Sequence, residues 1–95
     1  MSLVHEIKQR LQVLEPLVCE CEDQSHHHVG HAGNNGGGHY DVLVVSQLFE
    51  GVNRIERQRM INAPLRDLFP AQIHALSIRA YSLQQWQQLQ QKDSE

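Results

Sequence analysis

Seven of the 95 residues are histidine, and their placement is uneven. Five fall in one glycine-rich stretch, Ser25-His26-His27-His28-Val29-Gly30-His31-Ala32-Gly33-Asn34-Asn35-Gly36-Gly37-Gly38-His39, while His74 stands far downstream in Ile73-His74-Ala75-Leu76-Ser77-Ile78. Neutral imidazole is the commonest metal ligand among side chains, so a site could form if the fold carries His74 alongside that loop. Each of these residues also has a role that needs no metal. A single histidine opening a buried strand can be a hydrogen-bonded core residue, and a mobile histidine-rich tract binds stray zinc or nickel whatever its function. His39, at the end of the loop, can ligate or can orient the loop by hydrogen bonding, and both readings stand. His5 is expected to face solvent on a helix.

Cys19 and Cys21 are the other candidates. Two residues apart on an extended chain, they lie on the same side and are too constrained to bridge each other. Sharing that side with Leu17, they are expected to point into the core as reduced, small hydrophobes and to bind no metal. Nucleophilic catalysis has no support: there is no serine at a strand-turn-helix elbow, no Cys-His pair at a recognisable spacing and no carboxylate pair in an apolar setting. The chain reads as a non-enzyme.

The elements that must position these residues follow from periodicity. Ser2 caps a helix with Val4, Ile7, Leu11 and Leu14 at steps of three and four, ended by Pro16. Leu17 to Glu22 alternates as a half-exposed strand. Residues 24–39 form a long mobile hairpin loop, since glycine loses most entropy on ordering and Asn34-Asn35 favours turns. Tyr40 to Val45 is β-branched and apolar, as suits a central strand. Phe49-Glu50-Gly51 turns the chain into a helix over 52–65 with Val52, Ile55, Met60 and Ile61 near one face. Pro64 opens a further short helix with Leu65, Leu68 and Phe69, which Pro70 stops. Ile73 to Ala80 alternates as a third strand, and Ser82 caps a last helix with a stripe of Leu83, Trp86 and Leu89. The polar tail, residues 91–95, is expected to fray.

At 95 residues this is one domain, residues 1–95, large enough for a single core without disulfides. A net charge of -3 gives no general attraction to phosphate or anionic membrane. No apolar run approaches the roughly 18 residues needed to span a bilayer, and the charged, amphipathic N-terminus has no signal-peptide apolar region, which makes the cytoplasm the expected compartment.

Taken in order, Asp23-Gln24-Ser25 opening the histidine loop, His39-Tyr40 beginning a strand, Val45-Ser46 followed by Phe49-Glu50-Gly51, the arginines flanking position 58 and His74-Ala75-Leu76 resemble the BolA family over nearly the whole chain. The resemblance implies an α+β fold of order αββααβα, a three-stranded mixed sheet with helices packed on it in the arrangement of class II KH domains. It implies a chain that is monomeric alone and forms a heterodimer with a monothiol glutaredoxin and glutathione. The pair would share a 2Fe-2S cluster in iron-sulfur trafficking or iron homeostasis. The implied ligands are His74 and a second residue from the loop; His28 and His31 both match that position, with His39 also a candidate. Two histidines on one iron have precedent in Rieske centres. The family's helix usually carries Arg-His-Arg where this chain has Arg57-Gln58-Arg59, so no role of that middle histidine carries over.

The resemblance also raises DNA-binding transcriptional regulation. Its carriers would be Arg54, Arg57, Arg59 and Arg66, offset by Glu56 and Asp67 to a local excess of +2, which predicts modest, salt-sensitive affinity. A solvated helix face explains the same arginines without DNA. RNA binding is weaker still, because the Gly-x-x-Gly clamp of true KH domains has no counterpart. A third reading is an interaction module whose glutaredoxin contact needs no metal.

Overall fold

The computed structural model describes residues 2–25 and 38–93. Ser2 Oγ accepts the His5 N–H at 3.2 Å and so caps α1, Leu3–Arg10. The chain then tightens into a 3₁₀ turn over Leu11–Leu14, and Glu15 leaves it in the left-handed region at φ 51°. Ile7, Leu11 and Leu14 go into the core, whereas His5 is exposed as expected. Leu17 departs from expectation. It is 67% exposed, because β1, Val18–Asp23, starts one residue later and the chain is still turning out of Pro16.

Three strands make one mixed sheet in the order β1-β2-β3. The central strand β2, Gly38–Val45, runs antiparallel to β1 and parallel to β3, Ile73–Tyr81. Tyr40, Val42 and Val44 face the core, and register places Cys21 opposite Val42 and Cys19 opposite Val44. Both cysteines are therefore half-buried against the core, with free thiols. Burial pushes both thiols up, Cys21 to about 11. The hairpin loop is shorter than 24–39, since β2 reaches back to Gly38 and so takes in His39 as a strand residue.

Gly51, at φ 72°, completes the turn into α2, Arg54–Asn62, whose N-cap Asn53 accepts the Glu56 N–H at 2.8 Å. Ile61 is buried but Ile55 is 64% exposed. The six steps from Ile55 to Ile61, at about 100° each, turn Ile55 about 120° away from the buried stripe. The expected short helix after α2 is a 3₁₀ segment, Ala63–Leu68, continuous with it. Pro64 has no N–H to continue the α-helical ladder, and the tighter winding buries Leu65 and Leu68. Ser82 and Gln85 then form a reciprocal capping box: Gln85 N–H donates to Ser82 Oγ at 3.3 Å, and Ser82 N–H to Gln85 Oε1 at 3.0 Å. The helix it starts, α3, runs Leu83–Asp93, and residues 94–95 of the tail lie outside the described residues.

The core is one cluster in which Ile7, Leu11, Phe49, Ile61, Leu65 and Ile73 are fully buried. Ser46 is buried with them; its hydroxyl donates to the Leu14 carbonyl at 2.6 Å and accepts the Leu48 N–H at 3.0 Å. Among the described residues no buried side-chain polar atom lacks a partner. No helix there is long and apolar enough to cross a membrane.

Candidate functional site

The pairing of β2 with β3 is interrupted once. Gly38 pairs with Ile73 but His39 pairs with Ala75, so His74 is the extra residue of a bulge. The bulge lets Ile73 and Leu76, three apart, both reach the core face. It leaves His74 and Ala75 together on the opposite face, which is also the face of His39. As a result the imidazole rings of His39 and His74 lie with centroids 5.4 Å apart, tilted by 39°. His74 is exposed and His39 half-buried, so the reading of His74 as a core histidine does not hold. Asp41, two residues along β2 from His39, lies on that same outer face, with Glu22 as its register partner on β1. These carboxylates favour a cation there.

A clasp fixes His39. The His39 N–H donates to Ser25 Oγ at 3.1 Å, and its carbonyl accepts the Gln24 N–H at 2.7 Å. Ser25 is itself held, its N–H on Asp23 Oδ1 at 2.8 Å and its hydroxyl in a hydrogen bond with Tyr40. Gly38 sits beneath: a Cβ on it would lie 2.3 Å from Ser25 Oγ and 2.8 Å from Tyr40 Cε2. Burial pushes the Tyr40 hydroxyl up, and the Ser25 hydrogen bond opposes that shift. Ser25, Gly38 and Tyr40 are thus the positioning residues that reading the sequence did not single out. Their only signal was Asp23-Gln24-Ser25, an Asx-turn sequence immediately before the loop.

His26, His27, His28 and His31 lie outside the described residues, so of the four candidate ligands the structure places two, His39 and His74, and brings them together. Two imidazoles fit half of a four-coordinate site; among the described residues no group of three or more His, Cys, Asp or Glu side chains is placed to hold a metal ion. Cys19 and Cys21 are on the opposite, core face of the sheet.

The arginines divide. Arg57 turns inward, donating to the carbonyls of Val52 at 2.8 Å and Ala80 at 3.1 Å and to Gln85 Oε1 at 2.6 Å, and it lies over the Phe49 ring at 5.7 Å. As a candidate for phosphate contact it is already occupied, and its place is structural. Arg59 pairs with Glu56 at 2.6 Å, while Arg54 and Arg66 are exposed.

A family model described as BolA-like protein matches residues 11–85. Protein BOLA1, chloroplastic, of Arabidopsis thaliana is 40% identical over 77 residues, covering 76% of this chain and 48% of that protein. The DNA-binding transcriptional regulator BolA of Escherichia coli (strain K12) is 31% identical over 91 residues, covering 95% of this chain and 85% of the relative. The solved structure of BolA1 from Arabidopsis thaliana superposes with a TM-score of 0.77 at 34% identity, covering 90% of this chain and 96% of that one. The chain therefore spans about half the length of the chloroplastic relative and most of the bacterial one.

Proposed function

This chain belongs to the BolA-like family, and from that premise we propose that it is a non-catalytic partner of a monothiol glutaredoxin, lending histidines to a shared 2Fe-2S cluster in iron-sulfur trafficking or iron homeostasis. The observation that carries this reading is the His39/His74 pair on one exposed face, with centroids 5.4 Å apart. The chain's own task is to present neutral imidazole nitrogens at a fixed spacing. The bulge does this for His74, and the Ser25 clasp for His39. Residues 26–37, which bear His28 and His31, join the described structure at Ser25 and Gly38, beside the pair, and either residue stays a candidate second ligand alongside His39. Such a cluster supplies one-electron chemistry or serves as cargo, and thiolates for the second iron come from the glutaredoxin and glutathione. With two imidazoles and no thiolate on its outer face, the chain alone is a colourless monomer and acquires colour as the heterodimer. The unpaired thiols suit a reducing compartment, the cytoplasm in our reading.

The test is co-expression with the host's monothiol glutaredoxin, followed by iron analysis and visible circular dichroism of the complex. His74→Ala, checked for folding in the far ultraviolet, should abolish or grossly change the visible spectrum. His39→Ala and the double variant His28→Ala with His31→Ala show which residue is the second ligand. Lowering the pH should release the cluster, because imidazole must be unprotonated to ligate. An unchanged spectrum for folded His74→Ala sinks the proposed site.

One relative's name favours a second reading, DNA-binding regulation. Arg54, Arg59 and Arg66 would carry it, Arg57 being turned inward. Three phosphate contacts predict weak binding that falls steeply with salt. A nanomolar, sequence-selective complex at physiological salt would put regulation first.

A further inference from the structure

The far end of β3 from His74 borders a groove of about 540 Å3, within the roughly 300–1,000 Å3 of ligand pockets. One wall is Ile78, Arg79, Ala80 and Tyr81; Arg54 and Arg57 stand on the other. Residues of both parities line it, so the groove runs along the edge of β3 and not over one face of the sheet. Among the described residues that edge is open, since β3 pairs there only with β2. Backbone direction can be read from two bonds. The Tyr81 carbonyl accepts the Ser46 N–H on the β2 side, whereas the Ala80 carbonyl points to α2 and accepts from Arg57. Ile78, two residues back, shares the direction of Ala80 and offers its N–H and C=O to the groove.

The charge there is one-sided. Among the described residues Arg54 and Arg79 make no ion pair or side-chain hydrogen bond and no carboxylate lines the groove, on a chain whose net charge is -3. Arg79 also bounds a shallow depression shared with Glu20, Glu22 and Asp41, but pairs with none of them. We propose that this groove docks an extended acidic segment of a partner protein, which adds to the edge of β3 as a fourth strand while its carboxylates meet Arg54 and Arg79. Main-chain bonds supply affinity in such strand addition and alternate side chains supply selectivity. Arg57 caps only the Ala80 acceptor, a partial guard on an edge otherwise ready to pair. A peptide fits this better than a nucleic acid does. Of the guanidinium groups lining the groove, two, Arg54 and Arg79, have no side-chain partner among the described residues, Tyr81 is already packed against Trp86 with ring centroids 6.1 Å apart, and a strand edge repeats the spacing of peptide groups, not of phosphates. The site is independent of the histidine pair, about 13 Å away by strand rise from His74 to Ile78.

The test titrates the ¹⁵N-labelled full chain with an acetylated, alternating Val-Glu octapeptide. Amide shifts should concentrate at Ile78, Arg79, Ala80 and the first turn of α2. The double variant Arg54→Glu with Arg79→Glu, both exposed and so neutral to folding, should weaken binding at least tenfold. A Val-Lys counterpart should not bind. A peptide N-methylated at alternate residues keeps the charge but cannot pair along an edge, and should bind at least tenfold more weakly. Equal binding of the methylated peptide, or no shifts at these amides at millimolar peptide, overturns the proposal. Tighter occupation of the same amides by oligothymidylate overturns it in favour of nucleic acid. Self-association lost in the charge-reversed variant would instead make a second copy the occupant, through the acidic edge strand β1, and overturn it too.

Discussion

Gly38 shows how one missing methyl group sets up a candidate site. Its place beneath Ser25 Oγ leaves no room for a Cβ, which would meet that oxygen at 2.3 Å. Gly38→Ala must therefore push out Ser25, the residue that accepts the His39 N–H. We expect a loss of about 1–3 kcal/mol, the usual cost of overpacking, together with moved ring resonances for His39 and His74. Gly51→Ala is the control. Gly51 has φ 72° and nothing within 4 Å of a Cβ, so its cost is backbone strain alone, roughly 1–2 kcal/mol, with the histidine resonances unmoved. Urea unfolding with histidine ring spectra separates the two. Unmoved resonances in Gly38→Ala would remove the clasp from any role in positioning His39.

At the scale of elements, Arg57 joins α2 to β3 and α3 through a fork that reaches two carbonyls and Gln85 while stacking on Phe49. A lysine has neither the planar fork nor the stacking surface. Arg57→Lys should accordingly cost about 1–3 kcal/mol through part-buried carbonyls left unpaired. Arg59→Ala removes only an exposed pair with Glu56 and should stay within about 0.5 kcal/mol. Urea midpoints decide, and equal effects would refute the structural role. The two arginines look alike in the sequence, because Arg57-Gln58-Arg59 gives no sign of which one faces inward; that depends on where Phe49, Ala80 and Gln85 meet in space. The strands, the Ser2 and Ser82 caps and the Ile7, Leu11 and Leu14 stripe were legible, since serine caps by local chemistry and apolar spacing sets the buried face of α1. The bulge at His74 was not. Ile73 and Leu76 sit three apart inside an otherwise alternating strand, a break in period that is visible in the sequence but is assigned a meaning only by pairing with β2. For the same reason His74 was legible as a candidate while its nearness to His39 was not.

For the molecule as a whole, the sheet separates two kinds of metal-ligating chemistry. Among the described strand residues the imidazoles of His39 and His74 occupy the outer face and the thiols of Cys19 and Cys21 the core face. Burial raises both thiols, Cys21 to about 11 against an ordinary value of 9.0, which disfavours the thiolate form that ligates iron. The same shift has a consequence for stability. Between pH 9 and 11 the folded chain keeps the Cys21 proton that the unfolded chain has released. The contribution is thus present in full below about pH 9 and is lost as pH rises through 11. Tyr40 is also raised by burial, so the measurement is a difference. Unfolding free energies of the wild type and of Cys19→Ala with Cys21→Ala are compared at each pH from 7 to 11. The two curves should run parallel up to pH 9, and above it the wild type should fall more steeply. Alkylation by iodoacetamide at pH 8 should be slower in the folded protein than in urea. Parallel curves up to pH 11, or equal alkylation rates, would show thiols open to solvent and would return Cys19 and Cys21 to the list of candidate iron ligands.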